Sequence, residues 1–416
     1  YVAELGMVAA RELGVTKVLI GRDTRESGKQ LETALANGLL AGGVSVELLG
    51  VAPTPAIAFL AAKRGCASAA ITASHNPYLD NGVKLFANGG VKLSDAQQDA
   101  IESHMTGSAT VPAASALQVD LLGEYASHIV GLFPVLAFAN IRVVLDCANG
   151  AMSDVAPEVF ARLGATVIVL NDRPNGKNIN EVCGATHPEV VSEAVRLHKA
   201  DLGLAFDGDG DRVIAVDHIG DVVDGDHLIA LAAIDLHKRG KLKSNSVAVT
   251  VMTNAGFHQA MTKAGINVIT TPVGDRNILV AFDEHGVVLG GEQSGHIIYR
   301  DYATTGDGLL AGAMLVDLVR REAKPLATLA RNAMTSLPQT LINIRVAQVV
   351  NSPAEDLAAE ITDATKRLDG IGRVLLRASG TEPVVRVMVE AASQETADAV
   401  AQGLAEVVSQ RFGGVR

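Results

Sequence analysis

The chain has no tryptophan and only 5 tyrosines and 9 phenylalanines in 416 residues, so its interior must be built from Ala, Val, Leu and Ile. Cysteine is scarcer still. Cys66, Cys147 and Cys183 make an odd number with no Cys-x-x-Cys spacing, which excludes a disulfide framework or zinc ribbon and points to a reducing cytoplasm. Positive charge is also short: 35 Lys and Arg against 46 Asp and Glu leave a net charge of −11, with no basic field to hold nucleic acid. A small anion stays open as a ligand, because a few local arginines suffice. No run approaches the roughly 18 apolar residues of a membrane span, and Tyr1-Val2-Ala3-Glu4-Leu5 lacks the layout of a signal peptide. What is present is 48% hydrophobic residues and 41 glycines, a composition of large cores and tight turns. At about 150 residues per domain the length suggests about three domains of α/β character.

One pattern occurs three times: a β-branched run, a small-residue loop, an amphipathic helix, a glycine and a second β-branched run. It is the signature of βαβ units. The first copy runs from Lys17–Gly21 through a helix near Ser27–Leu40, then Gly42-Gly43 and Val44–Val46. The second runs from Ile141–Asp146 through Met152–Leu163 and Gly164 to Val167–Leu170, and the third from Ser246–Val251 through Gly256–Lys263 and Gly265 to Val268–Thr270. Each glycine is expected to supply the left-handed residue that ends its helix. The last quarter differs, with strand-like Thr340–Val346, Gly372–Arg377 and Val384–Glu390 and helices near Glu355–Leu368 and Glu395–Phe412. The expected fold is α/β: three successive α/β domains (1–128, 129–236, 237–338) and a smaller C-terminal α+β domain (339–416).

The strongest chemical signal is Asp207-Gly208-Asp209-Gly210-Asp211-Arg212, between the apolar runs Leu202–Phe206 and Val213–Val216. Alternate residues of an extended segment point the same way, so three carboxylates can converge while glycines let the backbone curl. Each pair about 4 Å apart repels by about 4 kcal/mol at an effective dielectric near 20, which only a cation makes tolerable. Oxygen ligands from so few residues fit Mg²⁺. An Asp-Gly surface turn is the plainer reading. An EF-hand is excluded, because its sixth position would be Arg212 and its twelfth His218.

A second segment, Thr72-Ala73-Ser74-His75-Asn76-Pro77 followed by Asn81-Gly82-Val83-Lys84, places a serine after a buried strand, where open α/β sheets hold ligands. Without the glycines of a nucleophile elbow it does not read as an esterase. A hydroxyl beside His and Lys, with a metal site elsewhere, suits phosphoryl transfer, although alone the run more commonly means a capped turn. A third loop, Arg377-Ala378-Ser379-Gly380-Thr381-Glu382-Pro383 with Arg386 beyond, offers the parts of a phosphate clamp or an ordinary hairpin turn. In a fourth, Gly290-Gly291-Glu292-Gln293-Ser294-Gly295-His296, the alternation of Glu292 and Ser294 suggests that both face sugar hydroxyls.

Together, in this order, the four segments resemble the α-D-phosphohexomutase family over essentially the whole chain. That resemblance implies four domains with mixed sheets in the α/β ones, an active site in the central cleft, and one loop from each domain. It implies a phosphorylated Ser74, with Ser74, Asp207, Asp209 and Asp211 holding one Mg²⁺. It makes Lys84, Arg212 and His296 the charge-stabilising and proton-transferring groups. His75, Glu292 and Ser294 become sugar contacts, Arg377, Ser379, Gly380, Thr381 and Arg386 a phosphate clamp, and Arg22 a further substrate contact.

The run Gly291–His296 with Asp301–Gly308 is similar to bacterial members acting on glucosamine phosphates; relatives acting on mannose and glucose phosphates usually carry Met where Gln293 stands. The implied partners are a hexosamine phosphate and a sugar bisphosphate, with a homodimer allowed, and the implied product feeds UDP-N-acetylglucosamine and cell-wall synthesis. A phosphomannomutase or phosphoglucomutase, a catalytically silent phosphosugar binder and a metal-dependent phosphatase are the alternatives. The resemblance further implies a leading strand with a Gly-Thr-Ser/Asp-Gly-x-Arg-Gly segment whose arginine meets the transferring group. The chain opens inside what reads as the following helix, Val2–Leu13, with Arg22 and Arg25 expected nearby, so the expectation is slow turnover for the chain as it stands.

Overall fold

The computed structural model describes residues 1–107, 111–378 and 383–414. The chain divides into two compact units, one of Tyr1–Met252 with Ala264–Ala333, the other of Thr253–Lys263 with Met334–Arg416. The first unit contains three sheets, and each grows from one of the βαβ repeats seen in the sequence. In the first sheet the order is Val91–Lys92, Val83–Ala87, Ala67–Ile71, Lys17–Arg22, Ser45–Val51, Leu117–Gln118. Lys17–Arg22 pairs in parallel with both Ser45–Val51 and Ala67–Ile71, whereas Val83–Ala87 runs antiparallel to Ala67–Ile71. All five residues of Ala67–Ile71 are buried, as expected of a strand covered on both faces by crossover helices. The second sheet has the order Val222–Val223, Val213–Asp217, Leu202–Phe206, Arg142–Asp146, Thr166–Leu170, and the third Asn267–Thr271, Ser246–Thr250, Leu289–Gly291, Ile297–Tyr299. All three sheets mix parallel and antiparallel pairs.

The second unit is built on an antiparallel sheet in which Val384–Ala391 lies between Gln339–Arg345 and Gly372–Ala378. Val385, Val387 and Val389 project from one face and pack with Val400, Ala401, Leu404 and Val408 of the helix Gln394–Phe412. A period of two meets a period near 3.6 here, and each buried valine or leucine contributes about 1.5–3 kcal/mol. The start of the third repeat's helix is tied into this unit: Ala255 N–H donates to Glu390 Oε2 at 2.8 Å, and Asn254 Nδ2 donates to the carbonyl of Leu337 at 3.0 Å.

Local readings of the sequence shift in three places. The helix expected over Met152–Leu163 begins at Val155, so that Pro157, lacking an N–H, falls in the first turn where none is needed. The helix expected over Glu355–Leu368 is two pieces, Pro353–Asp356 and Ala358–Lys366, broken at Leu357 with φ −120°. Gly42 is not left-handed (φ −77°); the left-handed residue of that turn is Gly43, at φ 83°.

Candidate active site

The Asp207 loop joins Leu202–Phe206 to Val213–Asp217, two antiparallel strands whose ten residues are all buried. Anchored at both ends, the loop turns through Gly210, whose φ of 74° favours glycine. Gly208 is required for another reason: a Cβ there would lie 2.7 Å from the carbonyl oxygen of Ser74. Asp207, Asp209 and Asp211 are 0%, 1% and 5% exposed, and one oxygen from each lies within 4.8 Å of the others.

These carboxylates are unevenly satisfied. Asp207 Oδ1 accepts from the Arg212 N–H at 3.1 Å, and Asp209 Oδ2 accepts from Thr54 Oγ1 at 2.5 Å. Lys84 Nζ donates to Asp209 Oδ2 at 2.8 Å and to Asp211 Oδ2 at 2.9 Å, while Asp209 Oδ1 and Asp211 Oδ1 are buried and accept no hydrogen bond. Burial, reinforced by the charges of Asp211 and Asp209, pushes the Asp207 carboxyl well above the usual range. Burial opposes the charge on Asp211 as well, but Lys84, His296 and Arg212 outweigh it and hold that carboxyl well below its ordinary value. Burial likewise works against the Lys84 ammonium, and Asp209 and Asp211 more than offset it, so Lys84 stays charged. Two buried oxygens without donors, from Asp209 and Asp211, within a cluster of three carboxylates are the donor set of a hard divalent cation, and the residues present fit one.

Ser74 follows the strand Ala67–Ile71 and meets this cluster directly, its Oγ donating to Asp207 Oδ2 at 2.5 Å. The serine is 9% exposed and sits at φ 51°, an uncommon conformation for a non-glycine residue. Lys84 lies on the neighbouring strand Val83–Ala87, opposite Ala70, which explains how one serine and one lysine ten residues apart reach different members of the same carboxylate cluster. Exposed His75 lines a cleft of about 370 Å³ with Arg212, Gln293, Ser294 and Thr186.

His296 is buried between two carboxylates, Nδ1 3.5 Å from Asp211 and Nε2 3.3 Å from Asp275. The Gly306 N–H also points at Nε2 from 3.2 Å, which alone would favour a neutral ring. Burial too disfavours the imidazolium, but with a carboxylate at each nitrogen the charged form prevails and the pKa rises to about 9. Asp275, the first residue of the helix Asp275–His285, is in turn paired with Lys92.

The fourth segment does not form the extended alternation expected for Glu292 and Ser294. It is a turn closed by Gly295 N–H to the carbonyl of Glu292 at 3.0 Å; Ser294 is exposed in the cleft lining, and Glu292 Oε1 accepts from Gly274 N–H at 3.2 Å. Gln293 donates through Nε2 to Asp224, the capping residue of the helix Gly225–Lys238, at 3.2 Å. Arg22 faces Glu32, with 3.5 Å between Nε and Oε2. Arg25 is fully buried under the Ser74 loop and bonds its backbone, so it is not available to an incoming phosphate.

In the second unit Arg377 and Arg386 stand directly opposite each other on paired strands. Ser379, Gly380 and Thr381 lie outside the described residues. Sequence reasoning missed Thr54, Asn180 and Asp275, whose partners are distant in the chain.

Comparison with known proteins follows the same segments. Profiles of the four phosphoglucomutase/phosphomannomutase domains match the chain: alpha/beta/alpha domain I at residues 1–111, domain II at 123–220, domain III at 224–337 and the C-terminal domain at 341–407. A phosphoglucosamine mutase of Frankia casuarinae is 48% identical over 406 residues, covering 95% of this chain and 88% of the relative; one of Desulforudis audaxviator is 46% identical over 415, covering 97% and 91%. Among solved structures, a phosphoglucomutase/phosphomannomutase family protein from Burkholderia thailandensis superposes with a TM-score of 0.81 at 26% identity, covering 98% of this chain and 93% of its own. Among the described residues no helix is long and apolar enough to cross a membrane.

Proposed function

The chain belongs to the phosphoglucomutase/phosphomannomutase family, and from that footing we propose that it interconverts glucosamine 6-phosphate and glucosamine 1-phosphate through a phosphorylated Ser74 and a sugar 1,6-bisphosphate. The enzyme is an isomerase acting by intramolecular phosphotransfer. One observation carries the reading: the Ser74 hydroxyl is hydrogen-bonded at 2.5 Å to one member of a buried cluster of three carboxylates. The choice of sugar rests on the bacterial phosphoglucosamine mutases that are nearly half identical along nearly the whole chain.

In the forward step the bond between phosphorus and Ser74 Oγ breaks as phosphorus joins the free sugar oxygen, and the proton that this hydroxyl loses is balanced by the one the departing Ser74 Oγ gains. The bisphosphate then turns over, and its other phosphate returns to Ser74. Asp207, Asp209 and Asp211, with the phosphate on Ser74, would hold Mg²⁺, which would supply positive charge to offset that on the transferring group. Lys84 stays protonated throughout and contributes a fixed positive charge beside Asp209 and Asp211. His296 is held in place by Asp275, and Arg212 lines the cleft with His75 and Ser294. To Arg377, Ser379, Gly380, Thr381 and Arg386 we assign the binding of whichever phosphate is not reacting.

The test is a comparison of glucosamine, glucose, mannose and N-acetylglucosamine phosphates, each with and without sugar bisphosphate. Glucosamine phosphates should give the highest kcat/KM, with bisphosphate required to prime the unphosphorylated enzyme. Equal kcat/KM across the sugars would move the reading to a phosphomannomutase or phosphoglucomutase, and release of inorganic phosphate as the main product would make it a phosphatase.

A further inference from the structure

Arg25 has a side chain with no exposed surface, and it touches neither the carboxylate cluster nor the cleft lining. Its Nε donates to Asp23 Oδ2 at 2.8 Å, which balances the charge. Its two terminal nitrogens are spent on backbone carbonyls of a single loop: Nη2 on Ser74 at 2.9 Å and Asn76 at 2.8 Å, Nη1 on Pro77 and on Asp80 at 3.0 Å. From the other side Asn180 Nδ2 donates to the carbonyls of Ser74 at 2.8 Å and Asn76 at 3.1 Å. The amide of Ser74 is fixed as well, donating to Thr72 Oγ1 at 2.8 Å, and that hydroxyl donates to Asp23 Oδ2 at 2.7 Å. Both peptide groups of Ser74 are therefore tied, directly or through Thr72, to one buried ion pair of Asp23 and Arg25.

We propose that Arg25, with Asp23 and Thr72, is the positioning device that holds Ser74 at its positive φ with Oγ aimed at Asp207, and so sets the point from which the phosphoryl group leaves. The inference rests on the phosphoserine reading of the same site. A residue at φ 51° is not where a free loop would settle, and the loop is largely exposed at His75, Asn76, Pro77 and Leu79. It has no ladder of strand hydrogen bonds to fix it, so the planar five-donor fork of a guanidinium takes that part. A lysine ammonium keeps the charge and the Asp23 pair but cannot span four carbonyls.

The experiment compares the wild-type protein, Arg25→Lys and Thr72→Val, with activity normalised to phosphoserine content by intact mass. Because Arg25 touches no substrate, kcat should fall by about 10²-fold in Arg25→Lys with KM unchanged, since small displacements of a reacting atom cost that much. A merely structural loss would lower the active fraction and leave kcat per phosphoserine intact. Amide hydrogen exchange supplies a readout that needs no turnover: exchange across residues 72–82 should accelerate by about tenfold in either variant, with Lys17–Arg22 unaffected. Should Arg25→Lys fail to fold, Thr72→Val, of nearly the same shape, carries the test alone. Wild-type kcat per phosphoserine, or unchanged exchange over 72–82, in a folded variant overturns the inference. Failure of the functional reading looks different: wild type would transfer phosphate to no hexose phosphate, while the exchange result would still decide the positioning.

Discussion

The serine loop and the aspartate loop meet at one hydrogen bond, yet they are ordered differently. The aspartate loop runs between two fully buried strands that pair residue by residue from Val213 opposite Phe206 to Asp217 opposite Leu202, and its carbonyls at Gly208, Asp209 and Gly210 accept from the backbone N–H groups of Ala151, Thr54 and Gly308. The serine loop is exposed, irregular and held by side chains 49 and 106 residues away, Arg25 and Asn180. The aspartate loop thus takes backbone partners from its flanking strands and from three distant segments, whereas the position of the nucleophile depends on side chains from two.

The largest effect should come from breaking the meeting point itself. Ser74→Ala removes the phosphoryl acceptor, and Asp209→Asn removes a charged ligand from a site with three carboxylates, so either should lower turnover by at least about 10³-fold; chelation should do the same to wild type, with Mg²⁺ restoring it. Next comes Gly208→Val, which drives a side chain against the Ser74 carbonyl and Asn180 Nδ2. It should separate the two loops and cost about 10²-fold in kcat, checked by steady-state kinetics alongside circular dichroism to confirm the fold.

The pH dependence of the metal-free protein sharpens the comparison from the aspartate side. His296 has its pKa raised to about 9 in the folded chain, so its charge contributes stability that is complete below its ordinary value of 6.5 and is lost as pH rises through about 9. Thermal melts from pH 6 to pH 10 should show a decline of up to about 3 kcal/mol that His296→Asn removes. The smallest effect is expected from Thr54→Val, which deletes one donor to Asp209 Oδ2 while Lys84 remains; a loss of about 1 kcal/mol in stability by urea titration is predicted.

How much of this was legible in the sequence follows the same division. The three βαβ repeats, the mixed α/β architecture and the carboxylate loop were readable, because periodicity and Asp-Gly alternation are local. The convergence of Ser74 and Lys84 on that loop was implied only by the family resemblance; residue types alone left a capped turn open. Thr54, 155 residues from Asp209, gave no signal, since a threonine at the start of a helix looks like any cap. Asp275 reads as an ordinary first-turn acid and is revealed only by its approach to His296. Arg25 was noticed for its charge and expected near the transferring group, and the structure assigns that charge to the loop's own backbone. Glu292 and Ser294 were read as facing the same way because they alternate in the sequence, but the Gly295 N–H closes a turn there.

The central claim is that Ser74 carries the phosphoryl group between enzyme and sugar, and label transfer tests it most directly. Enzyme phosphorylated with radiolabelled sugar bisphosphate, freed of excess reagent and mixed with unlabelled glucosamine 6-phosphate in one turnover, should lose label from the Ser74 peptide as labelled glucosamine phosphates appear, with little inorganic phosphate. Label that stays on Ser74 while unlabelled substrate is converted, or that sits on another residue, would contradict the account.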